Sequence, residues 1–195
     1  MSLVVLICGK SGSGKSTIAE LIAKEFGLRC IHTSGLLKQL KEQKVDLQKT
    51  EMNIGFYESE EGKKFMEERM KDKALDKKLD ETLLRLIDEG NVVLDSWTMP
   101  WLSKKGIKIW LNVSDDVRAK RIAKRDRITK EEALKRIKEK EEKTAKLYKE
   151  LYGFEFGKDL SVFDLIVDTD NKNIQQVFEE VRDFIRKKLK EEKVG

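Results

Sequence analysis

The sequence predicts an α/β fold in three layers, with helices on both faces of a five-stranded parallel sheet. Short apolar runs alternate along the chain with longer stretches whose apolar residues recur at helical spacing. The runs are apolar throughout, which is typical of parallel strands that are buried on both faces. No linker, repeat or low-complexity tract divides the 195 residues, so a single domain is expected.

The elements are predicted in the following order along the chain. Strands are predicted at residues 3–8, 28–32, 91–95, 107–113 and 165–168. Helices are predicted at residues 15–26, 35–44, 75–90, 115–125, 129–151 and 173–189. Two helix starts carry capping signals, Ser34 before residue 35 and the Thr-x-x-Glu box of Thr129 and Glu132. Helical pieces are also predicted within residues 45–75, but their ends cannot be assigned from the sequence. Pro100 is expected in a loop after the third strand.

The composition is that of a highly charged chain without a clear nucleic-acid site. Charged residues make up 39% of the sequence, and the net charge is +5. Lysine is interleaved with glutamate, as in residues 138–142 and 187–192, a pattern typical of solvated helix faces. No basic patch with interleaved aromatic residues is present. A modest positive excess also suits a protein whose ligands are polyanions.

The apolar runs are too short to cross a membrane, which needs about 20 apolar residues. The first run leads directly into a glycine motif and has no basic segment or cleavage site, so it is interpreted as a strand and not as a signal peptide. A cytoplasmic location is therefore expected. Cys8 and Cys30 lie in predicted strands without metal-binding spacing, and both are predicted to be buried, reduced thiols.

The most specific motif in the chain is a P-loop. Residues 9–16 read Gly-Lys-Ser-Gly-Ser-Gly-Lys-Ser and match G-x-x-x-x-G-K-[ST] in full. The glycines let backbone N–H groups converge on phosphate, Lys15 reaches the β- and γ-phosphates, and the Ser16 hydroxyl binds Mg²⁺. A predicted strand before the motif and a predicted helix after it support the match. The motif predicts a site for ATP and Mg²⁺ formed by Gly9, Lys10, Ser11, Gly12, Ser13, Gly14, Lys15, Ser16 and Thr17.

An acidic residue and three arginines are further candidates for the same site. Asp95 ends the third predicted strand, and the carboxyl ends of parallel strands share one edge, so Asp95 is predicted to face the P-loop and hold Mg²⁺. The alternative is that Asp95 caps the following turn. Arg118, Arg121 and Arg125 share one helix face. Arginine binds phosphate oxygens well, so Arg121 and Arg125 are predicted catalytic residues, whereas the alternative is a solvated basic face.

Taken together, these residues resemble the nucleoside monophosphate kinases, most closely the archaeal type of cytidylate kinase. The resemblance covers nearly the whole chain. Besides the P-loop, it is carried by His-Thr-Ser-Gly-Leu-Leu at 32–37, Asp-Lys-Lys-Leu-Asp at 76–80, Gly-Asn-Val-Val-Leu at 90–94, Lys-Ile-Trp-Leu at 108–111, Val-Arg-Ala at 117–119, and the run at 159–169.

The resemblance implies three parts within one kinase domain. They are a core at 1–32, 89–125 and 152–195, an acceptor-binding segment at about 33–88, and a lid at about 126–151. It implies that ATP and Mg²⁺ phosphorylate CMP or dCMP. On the same analogy, the loop at 168–173 would lie near the adenine. Arg121 and Arg125, together with Lys15 of the P-loop, would serve the phosphates, and Ser34, Gly35 and Asp76 would lie in the acceptor site. Trp97 is a further candidate for binding the acceptor, although the resemblance does not imply it.

The chain also departs from the family pattern on the acceptor side. Trp97 stands where the family has an arginine, and Glu81-Thr82 follows Asp80 where the family has two arginines. The lid carries Lys140 and Leu147 where the family has arginines. Trp97 could instead stack on the acceptor base or fill space. Trp101 is expected in the core, and His32 is expected to have a structural role.

Three functions therefore stay open from the sequence. The first is a nucleoside monophosphate kinase that transfers the γ-phosphoryl group in line, with ATP and a small phosphorylated acceptor as its ligands. The second is a small-molecule kinase with another acceptor, either AMP or a non-nucleotide. The third is a P-loop ATP-binding or regulatory protein with slow ATPase activity. Arg121 and Arg125 favour the first two, whereas the missing acceptor-side cations favour the third.

Overall fold

The structure, a computed structural model, describes residues 2–50, 56 and 59–194, without the side chains of 192–194. The strands in this part of the chain are β1 (Val4–Gly9), β2 (Arg29–His32), β3 (Val92–Asp95), β4 (Ile107–Asn112) and β5 (Leu165–Asp168). The helices are α1 (Lys15–Phe26), α2 (Thr33–Lys41), α3 (Glu60–Lys71), α4 (Ala74–Glu89), α5 (Met99–Leu102), α6 (Asp115–Asp126), α7 (Lys130–Tyr152) and α8 (Ile174–Val194).

The strands form one parallel sheet in the order β2-β3-β1-β4-β5. The central strand β1 is buried along its whole length, which explains its continuous apolar run. Its register pairs Ile7 with Asp95 on β3 and Gly9 with Leu111 on β4. The end of β1 and the end of β3 therefore lie at the same edge of the sheet.

Helices cover both faces of the sheet, as the sequence predicts. On one face, side chains of α2 and α4 such as Leu36 and Leu83 pack against the sheet. On the other face, α1 and α8 pack against it, with Ile22 and Val181 among the buried residues. A third cluster is aromatic and lies beside Trp110 on β4. The three-layer α/β architecture is therefore confirmed.

The predicted strands and most predicted helices are confirmed to within a few residues, and the Thr129 hydroxyl accepts a hydrogen bond from the Glu132 N–H at 3.1 Å. Two local predictions are wrong. Helix α2 begins at Thr33 with His32 as its N-cap and ends at Lys41, so Ser34 lies inside the helix. Pro100 lies in the first turn of the short helix α5 and not in a loop, because proline fits the start of a helix.

The segment that the sequence left unassigned contains α3 and the start of α4, and its residues 51–55, 57 and 58 lie outside the described residues. Both cysteines are free, but only Cys8 is buried; Cys30 is half-buried, because it lies on β2 at the edge of the sheet. None of the described helices combines the length and the apolar character needed to cross a membrane.

Candidate functional site

A cleft opens at the carboxyl edge of the sheet and is bounded by segments from distant parts of the sequence. Its walls come from the P-loop, the starts of α2 and α4, the end of β3, and the helices α3, α6 and α7. The P-loop residues that line it are Ser11, Gly12, Lys15 and Ser16. The cleft therefore joins the predicted phosphate site of the P-loop to the predicted acceptor-binding segment at 33–88 and to α7 of the predicted lid.

The P-loop adopts the backbone that its glycines allow. Gly12 and Gly14 have φ angles of 82° and 88°, in the region that favours glycine. A Cβ on Gly12 would lie 2.8 Å from Arg118 Cβ, so a larger residue does not fit there. Gly14 is the N-cap of α1 and offers no side chain to its first N–H groups. These N–H groups and the positive end of the helix form an anion site.

At the base of the cleft, Ser16 and Asp95 meet. The Ser16 hydroxyl donates a hydrogen bond to Asp95 Oδ2 at 2.5 Å, and the Thr33 hydroxyl donates to the Asp95 backbone carbonyl at 2.7 Å. Burial alone would raise the pKa of Asp95, but Lys15, His32 and Ser16 outweigh it and hold that pKa below its usual value. Asp95 is therefore an ionised, buried carboxylate beside the P-loop.

His32 supports this carboxylate from the neighbouring strand. Its Nδ1 lies 3.2 Å from Asp95 Oδ2, and its Nε2 lies 3.3 Å from Glu20 Oε1. Burial disfavours a charged imidazole, but hydrogen bonds to Asp95 and Cys30 and the Asp95 charge raise the pKa of His32 to about 10. His32 is 3% exposed and does not line the cleft. Its contacts fit the structural role expected from the sequence.

The residues at this point fit a magnesium ion bound together with a nucleotide. Ser16 and Asp95 supply two oxygen atoms. Within the described ranges, no group of three or more His, Cys, Asp or Glu side chains could hold a metal ion by itself. Magnesium keeps several waters and is usually held by one or two protein ligands plus substrate phosphates. The donor set is therefore suited to a metal that arrives with the triphosphate.

Two ammonium groups approach the ring of Trp97 in the cleft. Lys15 Nζ and Lys140 Nζ lie 5.6 Å and 5.4 Å from the ring centroid. Trp97 also stacks on Phe156, with ring centroids 4.5 Å apart. The Phe156 contact covers one face of the Trp97 ring, and stacking of the acceptor base on the indole stays a prediction. Cation–π contacts with the indole hold the ammonium groups of Lys15 and Lys140 close to the same ring in the cleft.

A cation that the sequence did not single out lies in the same cleft. Arg69 on α3 is 5% exposed and forms a bidentate pair with Asp76 on α4, with Nη2–Oδ1 and Nε–Oδ2 distances of 2.5 Å and 3.1 Å. The only sequence signal is a spacing of seven residues between the two, in a stretch without clear periodicity. Arg69 gives the predicted acceptor side a guanidinium group within the lining of the cleft.

Asp80 lies one helical turn after Asp76 and lines the cleft as well. The Tyr152 hydroxyl donates a hydrogen bond to Asp80 Oδ2, and the Thr98 hydroxyl donates to Oδ1 at 3.4 Å. Burial raises the pKa of Asp80 to about 6, and these hydrogen bonds only partly oppose it. Asp80 therefore changes charge in the range just below neutral pH.

The three arginines of α6 point to different places. Arg125 lines the cleft, and its guanidinium pairs with Asp126 at 2.5 Å and 2.7 Å. Arg121 donates to the carbonyls of Gly12 and Thr169 at 3.2 Å and 2.6 Å. Arg118 is 2% exposed and is held by two carboxylates. Only Arg125 of the three lines the same cleft as Lys15.

Arg121 belongs to a second concavity that shares residues of the P-loop. This concavity is lined by Ser13, Gly14, Ile18, Arg121, Thr169, Lys172, Asn173, Ile174, Gln175 and Val177. Three of the six residues in the 168–173 loop, which the resemblance places near the adenine, belong to this lining: Thr169, Lys172 and Asn173. Through its bonds to the Gly12 and Thr169 carbonyls, Arg121 joins the P-loop to the residue that follows β5.

The remaining predicted residues divide between the cleft and its surroundings. Ser34, Asp76 and Trp97 line the cleft, whereas Gly35 is buried inside α2. Gly9, Lys10 and Thr17 are outside the linings of both concavities. Of the positions that depart from the family pattern, Lys140 lines the cleft, Leu147 is fully buried in the aromatic cluster, and neither Glu81 nor Thr82 lines it. Trp101 stacks on Phe154 in that cluster.

Comparisons with known proteins also indicate a kinase that binds nucleotides. A family model described as the cytidylate kinase-like family matches residues 4–171. The cytidylate kinase of Methanocaldococcus jannaschii is 35% identical over 182 residues, which cover 90% of this chain and 93% of the relative. The cytidylate kinase of Sulfurisphaera tokodaii is 36% identical over 172 residues, which cover 87% of each chain.

Solved structures share the fold at low sequence identity. A shikimate kinase from Bacteroides thetaiotaomicron has a TM-score of 0.58 and 16% identity, and the match covers 97% of this chain and 99% of that one. An uncharacterized protein from Eubacterium ventriosum has a TM-score of 0.61 and 14% identity, with 94% and 98% of the two chains covered. These matches support the fold alone, because function resides in the site.

Proposed function

The chain belongs to the cytidylate kinase-like family, and we propose that it transfers the γ-phosphoryl group of ATP to a nucleoside monophosphate of the CMP or dCMP type. The observation that carries the proposal is a single cleft that joins the P-loop residues Lys15 and Ser16 to cations from two other segments, Arg69 and Lys140. A phosphoryl group passing between two anionic substrates needs cations on both sides.

The donor side of the proposal rests on the P-loop and the second concavity. The N–H groups at the start of α1 bind the phosphates, and Lys15 balances charge on the transferring group. Ser16 and Asp95 hold Mg²⁺, which when bound neutralises charge on the phosphate oxygens. The base of ATP lies in the concavity beside Arg121 and Thr169, and Arg121 orients the P-loop through the Gly12 carbonyl.

The acceptor side of the proposal rests on α3, α4 and α7. Arg69 and Lys140 attract the acceptor phosphate, and Ser34 lines the same cleft. The carboxylates of Asp76 and Asp80 favour an acceptor that offers hydrogen-bond donors, such as sugar hydroxyls or an exocyclic amino group.

We further propose that the chain divides as the resemblance implies, with 33–88 as the acceptor segment and 126–151 as a lid. Helix α7 supplies Lys140, Thr144 and Tyr148 to the cleft lining, so its position decides whether the cleft is closed. Closure of such a helix excludes water, which suppresses transfer of the phosphoryl group to water. Arg125, at the end of α6 beside this helix, is placed to contact the transferring phosphates.

The test is an ADP-release assay with ATP and Mg²⁺ on a panel of acceptors. The panel holds CMP, dCMP, UMP, AMP, dAMP, GMP and dTMP, with shikimate as a non-nucleotide acceptor and one reaction without acceptor. We expect CMP or dCMP to stimulate ADP release far above the reaction without acceptor. Lys15→Ala abolishes the stimulation, whereas Lys24→Ala leaves it unchanged, because Lys24 is an exposed residue in the last turn of α1.

Two outcomes contradict the proposal. Equal ADP release with and without every acceptor, in a protein that binds ATP, would leave an ATP-binding protein with slow ATPase activity. Stimulation by shikimate or AMP alone would support phosphoryl transfer from ATP but would show that the acceptor is not of the CMP or dCMP type. A direct readout of the phosphorylated product by chromatography separates transfer from hydrolysis in each case.

A further inference from the structure

Helix α7 touches the P-loop through one carboxylate. Glu141 Oε1 accepts a hydrogen bond from the backbone N–H of Ser11 at 3.2 Å. The same oxygen accepts a second hydrogen bond from Arg118 Nη1 at 2.6 Å. The Glu141 side chain is 13% exposed, although Glu142 beside it in sequence is exposed to solvent. One carboxylate therefore links three elements: the P-loop, α6 and α7.

The partner of Glu141 on α6 is itself held in place. Arg118 is 2% exposed and donates from Nε and Nη2 to Asp115 Oδ1, at 2.9 Å and 2.8 Å. Its backbone and Cβ pack directly against Gly12, since a Cβ on that glycine would lie 2.8 Å from Arg118 Cβ. Arg118 therefore gives Glu141 a fixed cation under the P-loop. A buried arginine with a fixed geometry makes a stronger contact than a pair of exposed side chains.

The neighbouring positions on α7 face the cleft. Lys140 precedes Glu141, lines the cleft and lies over Trp97. Thr144, one turn further on, lines the cleft as well and is 2% exposed. Residues one apart on a helix point about 100° away from each other. A contact that fixes Glu141 against the P-loop therefore fixes the direction in which Lys140 points.

From these contacts we propose that Glu141 is a positioning residue that ties α7 to the P-loop and so places Lys140 over the cleft. The inference rests on the proposed function, because it assigns Glu141 a part in phosphoryl transfer. Glu141 touches no reacting group, and its effect passes through the orientation of α7. The contact reaches the donor side through the Ser11 N–H, because Ser11 belongs to the loop that binds the donor phosphates.

The experiment compares Glu141→Ala and Glu141→Gln with the matched control Glu142→Ala. We expect Glu141→Ala to lower kcat roughly tenfold or more and to raise KM for the acceptor, because two hydrogen bonds to one carboxylate are lost. The Kd of a non-hydrolysable ATP analogue stays within about twofold of the unmodified protein. Glu141→Gln keeps an oxygen acceptor without the charge and recovers part of the activity. Glu142→Ala behaves like the unmodified protein.

Hydrogen exchange gives a second readout that does not depend on activity. We expect the amides of residues 130–152 to exchange faster in Glu141→Ala than in Glu142→Ala, while the amides of β1 and β3 keep their protection. A purely structural role would lower the thermal midpoint without changing the ratio of transfer to acceptor-independent hydrolysis. The positioning role raises the hydrolytic share, because a loosened α7 admits water.

The outcomes separate this inference from the proposed function. If the unmodified protein phosphorylates no member of the acceptor panel, the proposed function fails, and the exchange of α7 still decides whether Glu141 tethers the helix. If the unmodified protein is active and Glu141→Ala matches it in kcat, KM and exchange, the inference is overturned. Should Glu141→Ala not fold, Glu141→Gln carries the same comparison, with unchanged kinetics and exchange again overturning it.

Discussion

Ser16 and Asp95 are joined by a hydrogen bond of 2.5 Å between Oγ and Oδ2, although the two residues are 79 positions apart in sequence. The parallel sheet brings them together, because the strand that leads into the P-loop pairs with the strand that ends at Asp95. The proposed metal site is thus a consequence of strand order, and its two ligands belong to different segments.

Removal of the Ser16 hydroxyl tests this pair. We expect Ser16→Ala to raise the Mg²⁺ concentration needed for half-maximal activity about tenfold, because an oxygen ligand is lost. Initial rates over a Mg²⁺ titration at fixed ATP measure the effect. Ser103→Ala is the control, since Ser103 precedes β4 and lies at the opposite edge of the sheet. An unchanged Mg²⁺ requirement in Ser16→Ala would remove Ser16 from the metal site.

Trp97 offers a test of the two lysines that approach its ring. We expect Trp97→Leu to lower kcat/KM about fivefold to tenfold, because each cation–π contact contributes about 0.5–2 kcal/mol. Trp97→Phe keeps an aromatic face and retains most of the activity. Steady-state kinetics with the preferred acceptor measure both variants. Equal losses in the two variants would show that the aromatic face is not what Lys15 and Lys140 require.

The buried pair of Arg69 and Asp76 predicts a large effect on stability. Arg69→Met leaves the Asp76 carboxylate buried without its main partner and should lower the free energy of unfolding by about 3–5 kcal/mol. The double variant Arg69→Met with Asp76→Leu should recover most of this loss. Urea unfolding measures both changes, and Lys105→Met, which breaks an exposed pair with Asp88, should cost less than about 1 kcal/mol. A double variant as unstable as the single one would contradict the pairing.

Asp80 predicts a dependence of stability on pH. Because its pKa in the folded protein is raised from 3.8 to about 6, the folded state binds a proton that the unfolded state releases between these values. The stabilising contribution is complete below pH about 4 and is lost as the pH rises through about 6, for a total of about 3 kcal/mol. The difference in unfolding free energy between the unmodified protein and Asp80→Asn should therefore fall over this range.

The control for this pH effect is Glu81→Gln, because Glu81 is exposed and next to Asp80 in sequence. Its unfolding free energy should follow that of the unmodified protein at every pH. A constant difference between Asp80→Asn and the unmodified protein from pH 4 to pH 7.5 would show that Asp80 has an ordinary pKa in the folded state.

The parts of the fold that were predicted from the sequence are those with local signals. The strands are continuous apolar runs, the helix at Lys15 follows a glycine motif, and the cap at Thr129 is a four-residue pattern. The exceptions are also local. Ser34 resembles an N-cap, but α2 begins earlier because Thr33 bonds the Asp95 carbonyl, a contact that depends on the neighbouring strand.

Residues whose roles depend on packing between elements were not predicted. Glu141 lies in a run of alternating lysine and glutamate that resembles a solvated helix face, and only the packing of α7 on α6 buries its carboxylate. Arg69 has no motif around it and gains its place when α3 packs against α4. Arg118, Arg121 and Arg125 share a helix face in the sequence pattern, but long side chains on one face can reach three different partners.

The three tryptophans of the chain sit in unequal surroundings, and this gives the protein a natural optical signal. Trp110 is 1% exposed within the aromatic cluster, and Trp101 packs against Phe154 and Phe163 beside it. Trp97 alone among them lines the cleft, where two ammonium groups lie over its ring. A ligand that enters the cleft changes the polarity around one indole and leaves the other two as a constant background. Shifts in the intrinsic emission spectrum therefore report cleft occupancy without any attached dye.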